Sequence, residues 1–111
     1  MQTIMHSFLS IADIPEKEII SGFFGKMIHT SGFTVAHFRI LAGSVLPEHQ
    51  HVHEQVTNVI SGELEMTINS EMRVCKAGDS ALIPSHIPHS GRARTDCYVI
   101  DVFCPTREDY R

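Results

Sequence analysis

Two short clusters constrain this chain more than anything else in it. The first runs from Gly43 through Pro47, Glu48, His49, His51, His53, Glu54 and Gln55 to Gly62; the second runs from Gly78 and Asp79 through Pro84, His86 and Pro88 to His89. Side chains alternate faces along a strand, so His49 and His51 project the same way. Gln55 shares their parity, yet on one straight strand it would lie about 20 Å from His49 at roughly 3.3 Å per residue. Metal–ligand bonds are about 2.0–2.2 Å long, so no single ion spans that distance. For these residues to act together the chain must turn through Val52, His53 and Glu54 and bring Gln55 back on a neighbouring strand. His89 then arrives on a later strand, just after the Pro84 to Pro88 segment. The pattern reads as a four-ligand metal site made of His49, His51, Gln55 and His89.

Neighbouring residues offer alternatives. Glu54, a harder ligand than Gln55, is one alternative. His53 is a substitute ligand or a turn residue, and the turn reading is preferred. His86, three before His89, is open to the same two readings.

The rest of the chain is dominated by strand signals. Phe33–Leu41 alternates, with Ala36, Phe38 and Ile40 on one face and Val35, His37, Arg39 and Leu41 on the other. Gln55–Ile60 is apolar and β-branched, and Ser61 and Gly62 supply a turn. Glu63–Ile68 alternates with Leu64, Met66 and Ile68 inward; Met72–Lys76, Ser80–Ile83 and Cys97–Cys104 complete the set. Many short strands divided by turn residues mean an all-β sandwich or barrel. One segment, Asp13–Glu18, has a helical start signal, with Asp able to cap and Pro15 at an early position.

The paired motifs resemble the signatures of the cupin superfamily, whose members hold a divalent metal with three histidines and a carboxylate or amide. The resemblance implies a cupin-type double-stranded β-helix (jelly-roll) barrel. It implies one cupin domain over residues 1–111, with an N-terminal arm of about residues 1–20. The chain departs from the family pattern at Gln55, where Glu is common, and at His86, where Gly is common.

Composition narrows the partners. The 111 residues suit one domain able to bury a core. A net charge of −4 gives no electrostatic case for nucleic acid or an anionic membrane. No apolar run approaches a membrane span, and the N-terminus lacks the basic and apolar regions of a signal peptide. Cys75, Cys97 and Cys104 lack metal-like spacing, and Cys97 and Cys104 fall on opposite strand faces; reduced thiols in a cytoplasmic protein are expected.

Two features bear on chemistry. Gln55 is neutral and cannot act as a base, so an ion held by it and three imidazoles keeps its full charge. That favours Lewis-acid work on an oxygen-rich substrate. Zinc, nickel, iron or manganese would each suit such ligands. The second feature is Asp101, which interrupts an apolar strand on the face shared by Val99 and Phe103. A carboxylate facing a barrel interior is costly unless paired or used. An ion pair with Arg39, Arg92 or Arg94 is the structural alternative.

The tail from Val99 to Tyr110 resembles that of small pectin-degradation cupins, which process unsaturated uronate monomers. The resemblance extends over most of the chain from His37 onward. It implies that Asp101 is catalytic, that Phe103 and Arg107 bind substrate, and that the reaction converts a cyclic unsaturated uronate to its linear keto form. A non-catalytic metal-containing binding module and an iron-dependent dioxygenase are the competing expectations.

Assembly is the last expectation. Ile4, Phe8, Leu9 and Ile11, followed by Ile19, Ile20, Phe23 and Phe24, have no evident partner inside a minimal barrel. Open strand edges invite pairing, so a two-fold homodimer with N-terminal residues on the partner's sheet is expected.

Overall fold

The computed structural model describes residues 6–111; Ile4 of the expected arm lies outside the described residues. Ten strands follow in order: β1 Lys17–Ile20, β2 Phe23–His29, β3 Thr34–Ile40, β4 Val45–His49, β5 Glu54–Ser61, β6 Leu64–Ile68, β7 Glu71–Cys75, β8 Ser80–Ile83, β9 His89–Ala93 and β10 Cys97–Cys104. They form two antiparallel sheets. One has the order β1-β2-β3-β10-β5-β8, and the other β4-β9-β6-β7. Non-sequential neighbours such as β10 between β3 and β5 make this a double-stranded β-helix, the jelly-roll barrel.

The period of two decides which side chains enter the barrel. On β10, Cys97, Val99, Asp101 and Phe103 are buried, while the residues between them are partly exposed. On β3, Thr34, Ala36, Phe38 and Ile40 are buried. Phe103, Ile83, Val59 and Val99 are almost fully buried core side chains. Each contributes roughly 1.5–3 kcal/mol relative to an exposed position.

Turn chemistry fixes the register. Gly62 follows β5 at φ +87°, in the left-handed region that glycine adopts without strain. A Cβ there would also meet the backbone carbonyl of Asp96.

Three local expectations are corrected. Asp13–Glu18 is not a helix: a 3-10 turn covers Ile11–Asp13, and Lys17 begins β1. The β-branched pair Ile19 and Ile20 gains more by packing on the core beside Phe23 than from a short isolated helix. For the same reason the arm does not extend to residue 20. β1 pairs with β2 in its own sheet, and Phe23 belongs to the barrel core. Lastly, the strand carrying His49 stops there, and His51 lies in the connection.

Candidate metal centre

β4 ends at His49 directly opposite His89, the first residue of β9. His51 follows two residues later in the connection to β5. The ligand-capable ring nitrogens of His49, His51 and His89 all lie within 4.8 Å of one another, an arrangement suited to holding a metal ion. His53 sits beside this group, its ring 5.4 Å from that of His51. His86 is exposed in a turn at φ +63° and is not part of the group.

Hydrogen bonding prepares the three imidazoles in one tautomer. The Nδ1 of His49 donates to the Pro47 carbonyl at 3.0 Å, that of His51 to the His53 carbonyl at 3.0 Å, and that of His89 to the Ile87 carbonyl at 2.9 Å. A carbonyl oxygen can only accept, so Nδ1 carries the hydrogen and Nε2 keeps its lone pair in each neutral ring. Carbonyl partners of this kind orient metal-binding histidines. The His89 Nε2 is buried and has no protein partner. Burial pushes the His89 pKa down to about 4, so the ring stays neutral and able to ligate. His51 is lowered too, first by burial and then by the charge of Arg107.

Gln55 enters from β5, opposite both Phe103 and Ile83. Its Nε2 donates to Thr57 Oγ1 at 2.9 Å, which turns Oε1 toward His51 Nε2 at 3.1 Å. Two lone-pair acceptors thus face each other, a contact that a shared cation satisfies. The donor set of imidazole nitrogens and an amide oxygen fits a borderline divalent ion.

A cavity of about 390 Å³ opens beside the histidines, lined among others by His49, Gln55, Thr57, Asp101, Arg107 and Tyr110. Asp101 pairs in register with Thr57 on β5 and Ala36 on β3, which places its side chain inside the barrel. It is 7% exposed, and its Oδ1 has no hydrogen-bond partner. Burial pushes its pKa up to about 7, opposed by Thr57, by the charge of Arg107 and by Gln55. The expected alternative partners are engaged elsewhere: Arg39 pairs with Glu16, and Arg92 and Arg94 both pair with Glu65.

Arg107 is buried just after β10. Its guanidinium lies 4.7 Å from the centre of the Phe103 ring and 3.9 Å from that of Tyr110, and pairs with Asp109 at 2.7 Å. Phe103 is 2% exposed and forms part of the cavity wall. The sequence reading assigned no role to Tyr110, Thr57 or Asp109. The signal for Tyr110 was its spacing of three from Arg107; a 3-10 turn at Glu108–Tyr110 brings its ring back under the guanidinium.

A barrel with three histidines gathered at one end of its cavity defines the class, and the chain belongs to the cupin domain family, whose model matches residues 36–103. Among its relatives is the pectin degradation protein KdgF of Dickeya dadantii, 29% identical over 103 residues that cover 88% of this chain and 92% of that protein. The structure of KdgF from Halomonas sp. superposes with a TM-score of 0.90 at 29% identity, covering 96% of this chain and 100% of that one. An RmlC-like cupin from Shewanella frigidimarina gives 0.91 at 27% identity, covering 96% and 97%. A 55-residue stretch is 44% identical to H2HPP isomerase of Bacillus subtilis; it is 49% of this chain but only 23% of that enzyme. Among the described residues, no helix is long and apolar enough to cross a membrane.

Proposed function

We propose that this chain is a metal-dependent cupin enzyme of pectin breakdown that converts a cyclic unsaturated uronate to its linear keto form. The observation that carries the reading is the shared cavity: Asp101 and Arg107 open onto the same space as His49 and Gln55. Likeness to KdgF over nearly the full length of both chains supports the substrate class.

His49, His51, Gln55 and His89 would hold the divalent ion, whether zinc, nickel, iron or manganese. When bound, such an ion supplies Lewis-acid polarisation of a substrate oxygen. Arg107 holds the substrate carboxylate. Its contacts with the Tyr110 and Phe103 rings and its pairing with Asp109 fix the guanidinium plane before substrate arrives. Phe103 limits the depth to which the sugar ring enters. Asp101 moves the proton at Oδ1, which is buried and has no hydrogen-bond partner in the protein. The partner is a small sugar acid, the compartment the cytoplasm, and the assembly a homodimer.

Metal-loaded protein should consume unsaturated galacturonate monomer with loss of its ultraviolet absorbance. Asp101→Ala should abolish that turnover while metal still binds. Absence of acceleration by metal-loaded wild type would remove the substrate assignment. Unchanged turnover in Asp101→Ala would remove the proton-transfer role.

A further inference from the structure

The cavity beside the histidines changes character along the barrel. In the six-stranded sheet, the two rows past Asp101 put Val99 beside Phe38 and then Ile40 beside Phe23 on its wall. In the four-stranded sheet, the row past His49 and His89 holds Leu46, Gly91 and Met66. From Asp101 to the row of Ile40 is four residues along β10, roughly 13 Å at about 3.3 Å per residue. One part of the cavity is therefore polar, and the other is walled by hydrocarbon.

Gly91 keeps the second part open. It shares the inward parity of His89 and Ala93, both buried, at the middle of β9. Glycine weakens a strand interior, and it often marks a place where a ligand comes close. A Cβ at this position would meet the Glu65 carbonyl at 3.4 Å and a Leu64 methyl at 4.0 Å, both ordinary contacts. The backbone would accept a larger residue, so packing does not demand the glycine. Protein interiors hold few voids larger than a water molecule, whereas this cavity measures about 390 Å³. An apolar cavity of roughly 150 Å³ is already enough to admit a benzene ring.

We propose that the apolar half is a subsite for a hydrocarbon group, so that the chain binds amphiphilic carboxylic acids whose far end carries no hydroxyls. The proposal rests on Arg107 as the carboxylate anchor of the reading above and extends the ligand class beyond sugar acids. Tyr110 joins the two halves. Its ring lies 3.9 Å from the Arg107 guanidinium and stands edge-on to Phe103 at 5.7 Å and to Phe38 at 6.3 Å. The anchor and the apolar wall are thus neighbours. Sugar hydroxyls placed against Phe38, Ile40 or Met66 would find no hydrogen-bond partner, which is unfavourable. A hydrocarbon tail leaves water there and gains by it.

Straight-chain carboxylates from butanoate to octanoate, titrated into the metal-loaded full chain and followed by ligand-observed NMR, test this. Each added methylene should tighten binding roughly fourfold until the subsite is full. In Gly91→Val, a side chain favourable in a strand grows into the space, and the gain with chain length should disappear while butanoate still binds. Leu46→Asn, at a half-buried position and close in shape, should weaken octanoate at least roughly fivefold. Circular dichroism verifies the fold of both variants. Arg107→Gln should weaken every chain length alike, and octanoate binding unchanged by it would overturn the anchoring. Wild-type affinity that does not rise with chain length would overturn the subsite, as would a rise that survives in both Gly91→Val and Leu46→Asn. A chain that fails to turn over uronate yet shows the rise would lose the substrate assigned above and keep the subsite. Uronate turnover with no rise would remove the subsite alone.

Discussion

Gln55 Oε1 lies 3.1 Å from His51 Nε2, and both atoms present lone pairs. Thr57 holds the amide in that orientation by accepting from Gln55 Nε2. A neutral oxygen therefore stands where many cupins have a carboxylate. Gln55→Glu should bind a divalent metal roughly tenfold tighter, because ligand charge raises affinity. The same change should lower turnover at least tenfold by neutralising the charge that polarises substrate, an effect on the order of 1.4 kcal/mol. Calorimetric metal titration and the uronate assay, run side by side, check this; a gain in both would contradict it.

Asp101 links the site to stability through pH. Its folded pKa, near 7, lies above the 3.8 of an unperturbed carboxyl because burial disfavours the charged form. Between those values the unfolded chain gives up a proton that the folded chain keeps, so stability falls as pH rises through that window. Asp101→Asn removes the penalty. In metal-free protein it should be more stable than wild type by roughly 1–3 kcal/mol at pH 8, with little gain near pH 4. Urea unfolding at the two pH values provides the check, and an equal gain at both would contradict the linkage.

Arg107 should not be replaceable by lysine. An ammonium cannot make the two parallel bonds to Asp109 or spread over the Tyr110 ring. Arg107→Lys should raise KM and lower kcat/KM roughly 10–100-fold, a loss of about 1.4–2.8 kcal/mol. Metal affinity should hold steady. Loss of metal binding together with activity would mean that Arg107 supports the fold of the site instead.

Alternation made much of the barrel legible. Phe33–Leu41 and Cys97–Cys104 read as strands because a two-sided environment imposes a period of two, and they emerge as Thr34–Ile40 and Cys97–Cys104. The first 29 residues were not legible in this way. β2 carries Gly25 in mid-strand, where a Cβ would meet the Phe38 ring at 2.8 Å. That glycine reads as a break in isolation and is a packing requirement in the sheet. β4 contains Pro47, which an edge strand of the smaller sheet tolerates. The convergence of His49, His51 and His89 was legible in the paired motifs that resemble the cupin signatures; strand parity does not account for His51, because β4 ends at His49. The Arg107 stack was not, because it depends on a 3-10 turn at the chain's end.

The turn at Gly62 offers a test of the fold alone. Gly62→Ala forces a side chain into positive φ and against the Asp96 carbonyl, which is backbone and cannot move aside. The variant should lose at least about 2 kcal/mol, combining the strain and the clash. A denaturation midpoint matching wild type would contradict the register described for β5 and β6.

The measurement closest to the central claim is the metal content of untagged protein, by elemental analysis after dialysis against a divalent ion. Wild type should retain one ion per chain. His89→Ala should retain none, because the buried Nε2 of His89 has no other partner. Wild type that holds no ion, or His89→Ala that holds as much as wild type, would contradict a metal centre at these residues.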